Sequence, residues 1–168
     1  YLHAIKNASG NLLIIINDIL DLSKMQAGKL QVEKIPFRFA DIVSGVYDTF
    51  YLRTEEKNIR FIIDADKNIP AFLIGDQARL IQILVNIVGN AVKFTDKGSV
   101  IVRFGRADTG NEDKRSKVLF SVEDTGIGIT KEKLETVFES FAQEHTSESR
   151  NYGGTGLGLT ISKNLVEL

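Results

Sequence analysis

The chain contains no cysteine, which removes disulfide frameworks, thiolate nucleophiles and cysteine-based zinc sites together. It also lacks an excess of either charge. With 21 Lys and Arg against 22 Asp and Glu, the formal net charge is -1, so no global field draws the chain onto nucleic acid. Long apolar runs are missing too: the longest, Leu12 to Ile16, falls far short of the roughly 20 residues that a membrane-spanning helix needs. No membrane contact by this segment is expected. No charged-then-apolar leader opens the sequence, so a signal peptide is not expected, and Tyr1 and Leu168 both fall within helical patterns and read as candidate truncations. Proline occurs only twice, at Pro36 and Pro70, where each punctuates the pattern.

What is present is interleaved. Leu2, Ile5, Leu12, Ile16 and Ile19 recur at helical spacing, with Leu13 and Leu20 widening the stripe, and Gly28 marks the stop. Such a stripe suits a helix in a bundle or dimer, or one packed on its own domain. Leu30 to Phe37 reads as a strand closed by Pro36, and Asp41 as the cap of a helix to about Lys57. Ile59 to Ala65 is a strand, Pro70 and Gly75 mark a turn, and Asp76 caps a helix with Leu80, Ile83, Leu84, Ile87, Val88 and Ala91 on one face. Val100 to Phe104 and Val118 to Val122 form a hairpin across a polar loop at Gly110 to Asp113. A short helix from Lys131 to Val137 precedes a polar stretch, Gln143 to Tyr152, that reads as a mobile loop, and a last helix follows Gly158. The alternation predicts an α+β fold within 168 residues, room for one substantial core.

Six of the 14 glycines lie in two clusters, Gly126 and Gly128 after a strand and Gly153 to Gly158 before a helix. These are places where backbone can approach a ligand closely, and phosphate is the natural guest. Two nucleotide motifs are excluded. The only Gly-Lys pair, Gly28-Lys29, is followed by Leu30, so there is no Walker A loop, and neither cluster completes G-x-G-x-x-G because Leu159 and Lys131 occupy the third positions.

Four segments occur in order: Asn86-Ile87-Val88-Gly89-Asn90-Ala91-Val92-Lys93-Phe94, Asp124-Thr125-Gly126-Ile127-Gly128, Phe138-Glu139-Ser140-Phe141, and Gly154-Thr155-Gly156-Leu157-Gly158-Leu159. Together they resemble the four boxes of sensor histidine kinases, and Asn17 to Lys24 resembles that family's passage from stalk to catalytic domain. The resemblance implies residues 1–30 as the partial second helix of a dimerisation stalk and 31–168 as the catalytic ATP-binding domain. The implied fold is a two-layer ATP-binding sandwich, a mixed sheet backed by helices as in gyrase, Hsp90 and MutL, preceded by a long stalk helix.

The resemblance also implies roles. Asn86 and Asn90 stand four apart on one helix face, where both amides can enter one pocket; in the family such a pair supports magnesium, with Asn90 the first choice of ligand and Asn86 the second. Asp124 would accept a hydrogen bond from the adenine amino group and so favour ATP, with Gly126 and Gly128 beside it, or else simply shape a turn. Lys93 and Arg150 would meet phosphate or remain solvated cations, and Gln143 would be a polar loop residue near the metal. Gly154, Thr155, Gly156, Leu157 and Gly158 would turn backbone N–H groups toward phosphate at the start of the last helix. Phe138 and Phe141 read as packing residues.

The phospho-accepting histidine is the gap. Neither His3-Ala4-Ile5-Lys6 nor His145-Thr146-Ser147-Glu148 matches the family's acceptor box, which places the acceptor upstream of Tyr1. The implied activity is phosphoryl transfer from Mg-ATP to a stalk histidine of the same or a partner subunit, in a full-length protein that dimerises through its stalk and is either cytoplasmic or the cytoplasmic part of a membrane-anchored sensor, with relay to a receiver-domain aspartate. The alternative is a non-catalytic nucleotide-sensing or dimerisation module. ATP-hydrolysing relatives of this fold carry a glutamate where this chain has Asn86, which favours the kinase.

Overall fold

The apolar stripe that opens the sequence becomes helix α1, Leu2–Gln26, in the computed structural model, which describes residues 2–107, 117–139 and 156–168. Its end is set by a left-handed residue. Gly28 has φ 64°, and the amides of Gly28 and Lys29 donate to the carbonyls of Met25 and Lys24 at 2.9 Å each, the bond pair that closes a helix when the residue past its end turns left-handed. Between Leu12 and Leu20 the large apolar side chains of α1 stand exposed, Leu13 at 61%. Contacts divide the chain into two units, one formed by the described parts of 1–32 and 130–168 and the other by Glu33–Ile129.

The Glu33–Ile129 unit carries β1, Ile35–Arg38; α2, Phe39–Glu56; β2, Arg60–Ala65; β3, Phe72–Gly75; α3, Gln77–Phe94; β4, Ser99–Ala107; and β5, Lys117–Asp124. Its main sheet is mixed, in the order β2-β4-β5 with β2 parallel to β4 and β4 antiparallel to β5. Helices α2 and α3 pack together and back this sheet, which gives the expected α+β sandwich. Period-two alternation sets the register. Val100, Val102 and Phe104 of β4 are buried, and Val102 and Phe104 lie opposite Val122 and Phe120 of β5 on the same face. A one-residue slip would turn that whole set to solvent. The core continues through Ile42, Val46 and Phe50 of α2 and Leu84, Val88, Ala91 and Val92 of α3.

Three local expectations change. Helix α2 starts at Phe39, with Arg38 in the cap position making no side-chain cap bond, and Asp41 lies in the first turn. There its charge still suits the positive helix end. Strand β1 is later and shorter than expected, because Pro36 lies inside it opposite Ile74; a two-stranded ribbon has edges on which proline's missing N–H is tolerated. The segment read as a turn before Gly75 is strand β3, antiparallel to β1. By contrast Asp76 caps α3 as expected, its Oδ1 accepting from the Arg79 amide at 3.0 Å.

In the other unit, α4 is a single turn, Lys131–Leu134, and α5 runs Gly158–Glu167 and contacts α1. Thr160, Ile161, Ser162 and Leu165 of α5 are buried, and the Thr160 hydroxyl donates to the Phe138 carbonyl at 2.9 Å. Among the described residues no helix is long and apolar enough to cross a membrane.

Candidate functional site

Six of the residues singled out in the sequence, Asn86, Asn90, Lys93, Asp124, Gly126 and Gly128, fall in the Glu33–Ile129 unit, on two elements that touch. Helix α3 carries the first three, and β5 with its following loop carries the rest. The apolar stripe of α3 places Leu84, Val88 and Ala91 in the core and leaves Asn86 and Asn90 half-buried. Among the described residues the Asn90 amide has no hydrogen-bond partner.

The loop after β5 is joined to the end of α3 by a backbone bond, and one carboxylate closes the loop on itself. Asp124 accepts from the Gly126 amide through Oδ1 at 2.8 Å, which leaves Oδ2 without a partner among the described residues. The Ile127 amide donates to the Phe94 carbonyl at 3.4 Å. Gly126 makes this approach possible: a Cβ there would lie 2.5 Å from the Phe94 oxygen and 2.8 Å from Asp124 Oδ1. Only glycine fits between them. Thr125 completes the junction, its hydroxyl accepting from the Ser99 amide at 3.0 Å and donating to the Lys97 carbonyl at 3.1 Å. Asp124 itself is exposed, so the carboxylate lies at an open mouth and not on a sealed floor.

Lys93 is partly buried against its neighbour on α3. Its ammonium lies 4.7 Å from the centre of the Phe94 ring, and partial burial pushes its pKa below the usual lysine value. Beside it, Thr95 Oγ1 is the one buried side-chain polar atom without a partner among the described residues.

The donor set decides what kind of metal fits. Among the described residues no cluster of three or more His, Cys, Asp or Glu could hold an ion alone. Amide oxygens on α3 suit a hard cation that brings phosphate oxygens and water as its remaining ligands, and magnesium is such an ion.

Gly156, Leu157 and Gly158 belong to the other unit. Gly156 is left-handed, with φ 72°, Leu157 is buried, and α5 begins at Gly158. Arg150, Gly154 and Thr155 lie outside the described residues, as do Phe141, Gln143, His145 and the expected loop from Gln143 to Tyr152. Phe138, expected to pack, is 44% exposed and contributes its carbonyl, as the acceptor for Thr160. Sequence reasoning missed Thr125 and Lys57. The Lys57 ammonium reaches the carbonyls of Val92, Lys93 and Thr95, 35 to 38 residues away, and no local pattern announces it.

Comparison with known proteins bears on the same stretch. The family model described as "Histidine kinase-, DNA gyrase B-, and HSP90-like ATPase" matches residues 75–168. Hybrid signal transduction histidine kinase L of Dictyostelium discoideum is 46% identical over 168 residues, the whole of this chain and 10% of that protein. Sensor protein GacS of Pseudomonas syringae pv. syringae is 41% identical over 99% of this chain and 18% of its own length. The chain therefore spans a fifth or less of these relatives. Among solved structures, full-length ShkA in complex with AMPPNP matches with a TM-score of 0.80 and 31% identity over 99% of this chain and 33% of that one. The histidine kinase ThkA in complex with the response regulator protein TrrA matches at 0.60 and 27% identity, over 85% of this chain and 40% of that one.

Proposed function

We propose, for a chain that belongs to the family of histidine kinase-, DNA gyrase B- and HSP90-like ATPases, that it is the ATP-binding catalytic segment of a sensor histidine kinase. The segment transfers the γ-phosphoryl group of ATP to a stalk histidine outside these 168 residues, for relay to a receiver-domain aspartate. The observation that carries this reading is the junction of Phe94, Asp124 and Gly126, which fixes the free edge of a carboxylate beside the helix bearing Asn86, Asn90 and Lys93.

The roles follow from the residues. Asp124 Oδ2 accepts from the adenine amino group, whereas guanine would present an acceptor to it. Asn90, with Asn86 second, holds magnesium, which when bound neutralises phosphate charge. Lys93 offers a partly desolvated cation to the phosphates. Gly128, left-handed at φ 71°, turns the loop after Asp124, and Arg150, Gly154, Thr155, Gly156, Leu157 and Gly158 are assigned to phosphate on their motif. No covalent residue of this chain is needed, since positioning and charge neutralisation carry phosphoryl transfer.

Residues 1–30 act as stalk and 31–168 as catalytic domain in this reading, and the exposed apolar face of α1 supports homodimerisation through the stalk. The ThkA relative in complex with a response regulator supports a receiver domain as downstream partner. The test is incubation with labelled Mg-ATP, of this chain and of a longer piece carrying the preceding helix. The longer piece is expected to form an acid-labile, base-stable phosphoprotein, and this chain to bind nucleotide unlabelled. Labelling at His3, or nucleotide binding without label in the longer piece, contradicts the proposal.

A further inference from the structure

We infer that Lys57 is a positioning residue for the nucleotide site, tying off the end of α3 so that its last turn keeps Asn90 and Lys93 in register with the Asp124 loop. The inference deepens the function proposed above and rests on it.

A helix leaves its last carbonyls without intrahelical partners, and buried ones must find donors elsewhere. At the end of α3 the accounting closes. Lys57 Nζ donates to the carbonyls of Val92 at 2.9 Å, Lys93 at 3.0 Å and Thr95 at 3.0 Å, and the remaining carbonyl in that run, Phe94, takes the Ile127 amide of the Asp124 loop. An ammonium has three N–H donors, and here three carbonyls receive them. Its charge also sits at the negative end of the α3 dipole, with Asp96 Oδ1 3.6 Å away.

Lys57 is itself delivered by a fixed turn. It is the C-cap of α2, and Asn58 after it is left-handed at φ 55°. The amides of Asn58 and Ile59 return to the carbonyls of Glu55 and Thr54 at 3.0 and 3.1 Å, closing α2 with the same bond pair that closes α1. The lysine therefore projects from a defined point onto one side of a helix end whose other side holds the Asp124 loop. Removing the ammonium strips donors from three carbonyls, two before Phe94 and one after it. The last turn of α3, which carries Lys93 and directly follows Asn90, then keeps the Ile127 bond to the loop but loses its tie to the end of α2.

The test separates positioning from plain stabilisation. Binding of ATP is measured with and without Mg²⁺ for the unsubstituted chain, for Lys57→Met, and for Val46→Ala, a core truncation remote from these carbonyls. Lys57→Met is expected to lose about tenfold in Mg-ATP affinity, the size typical of outer groups that orient metal ligands. The enhancement of binding by Mg²⁺ should shrink with it, and amide exchange at Ile127 should quicken. Val46→Ala is expected to lower the Tm and leave the enhancement unchanged. Should Lys57→Met fail to fold, Lys57→Arg keeps the charge but not three converging donors, and a smaller loss of the same kind is expected. Wild-type affinity and Mg²⁺ enhancement in a folded Lys57 variant would overturn the inference alone. An unsubstituted chain that bound no ATP would overturn the underlying proposal.

Discussion

Helices α1 and α3 are both long and rich in branched apolar residues, yet they spend them differently. In α3 the stripe is spaced at three and four, and Leu84 and Val88 are buried at 1% and 0% exposure. In α1 the stripe is similarly spaced, but five apolar residues also follow in succession, Leu12 to Ile16, widening it beyond what one core contact covers, and all five are exposed. The lesson is one of spacing: interruption by polar residues lets α3 serve a core on one side and a site on the other. The unbroken run of α1 is a surface that suits a partner, and the proposed function assigns it a second stalk.

Substitutions can break that contrast. Leu84→Ala should cost about 2–5 kcal/mol of stability, read by denaturant unfolding, while Leu13→Ala in the monomer should stay within about 0.5 kcal/mol. Equal costs would remove the distinction. Next in size, Gly126→Ala forces a Cβ against the Phe94 carbonyl, which cannot swing away as a side-chain tip could. A loss of about 1–3 kcal/mol is expected, and loss of nucleotide binding with it. A variant with unchanged stability and affinity would show that the junction is looser than the geometry implies. Smallest is Thr95→Val, which replaces an unpartnered buried hydroxyl with a methyl group. Stability should hold or rise by up to about 1 kcal/mol, and a fall would reveal a hidden partner for that oxygen.

How far the sequence disclosed this depends on the range of each interaction. The stripe of α3, its Asp76 cap and the β4–β5 hairpin are written in neighbouring residues, so period and turn chemistry reveal them. Strand β3 is four residues long, ending at Gly75, and its pairing with Ile35–Arg38 comes from 34 to 40 positions away. Nothing local distinguishes it from a turn. The same holds at the site. Asn86, Asn90, Asp124 and Gly126 stand in recognisable boxes with roles attached, and Thr125 stands in one without a role, whereas Lys57 matters through distant carbonyls, which every residue possesses and no sequence pattern marks. The exposure of Asp124 likewise depends on what covers the loop, which strand periodicity does not encode.

The sharpest test of the site is Asp124→Asn, read as the dissociation constant for Mg-ATP. With Oδ1 kept by the Gly126 amide, the substituted group turns Nδ2 toward the adenine amino group, donor against donor. The account predicts that affinity falls by about tenfold or more while the fold persists. Unchanged affinity would contradict the assignment of this carboxylate to adenine, and with it the central claim that the junction of α3 and the Asp124 loop is built to hold ATP.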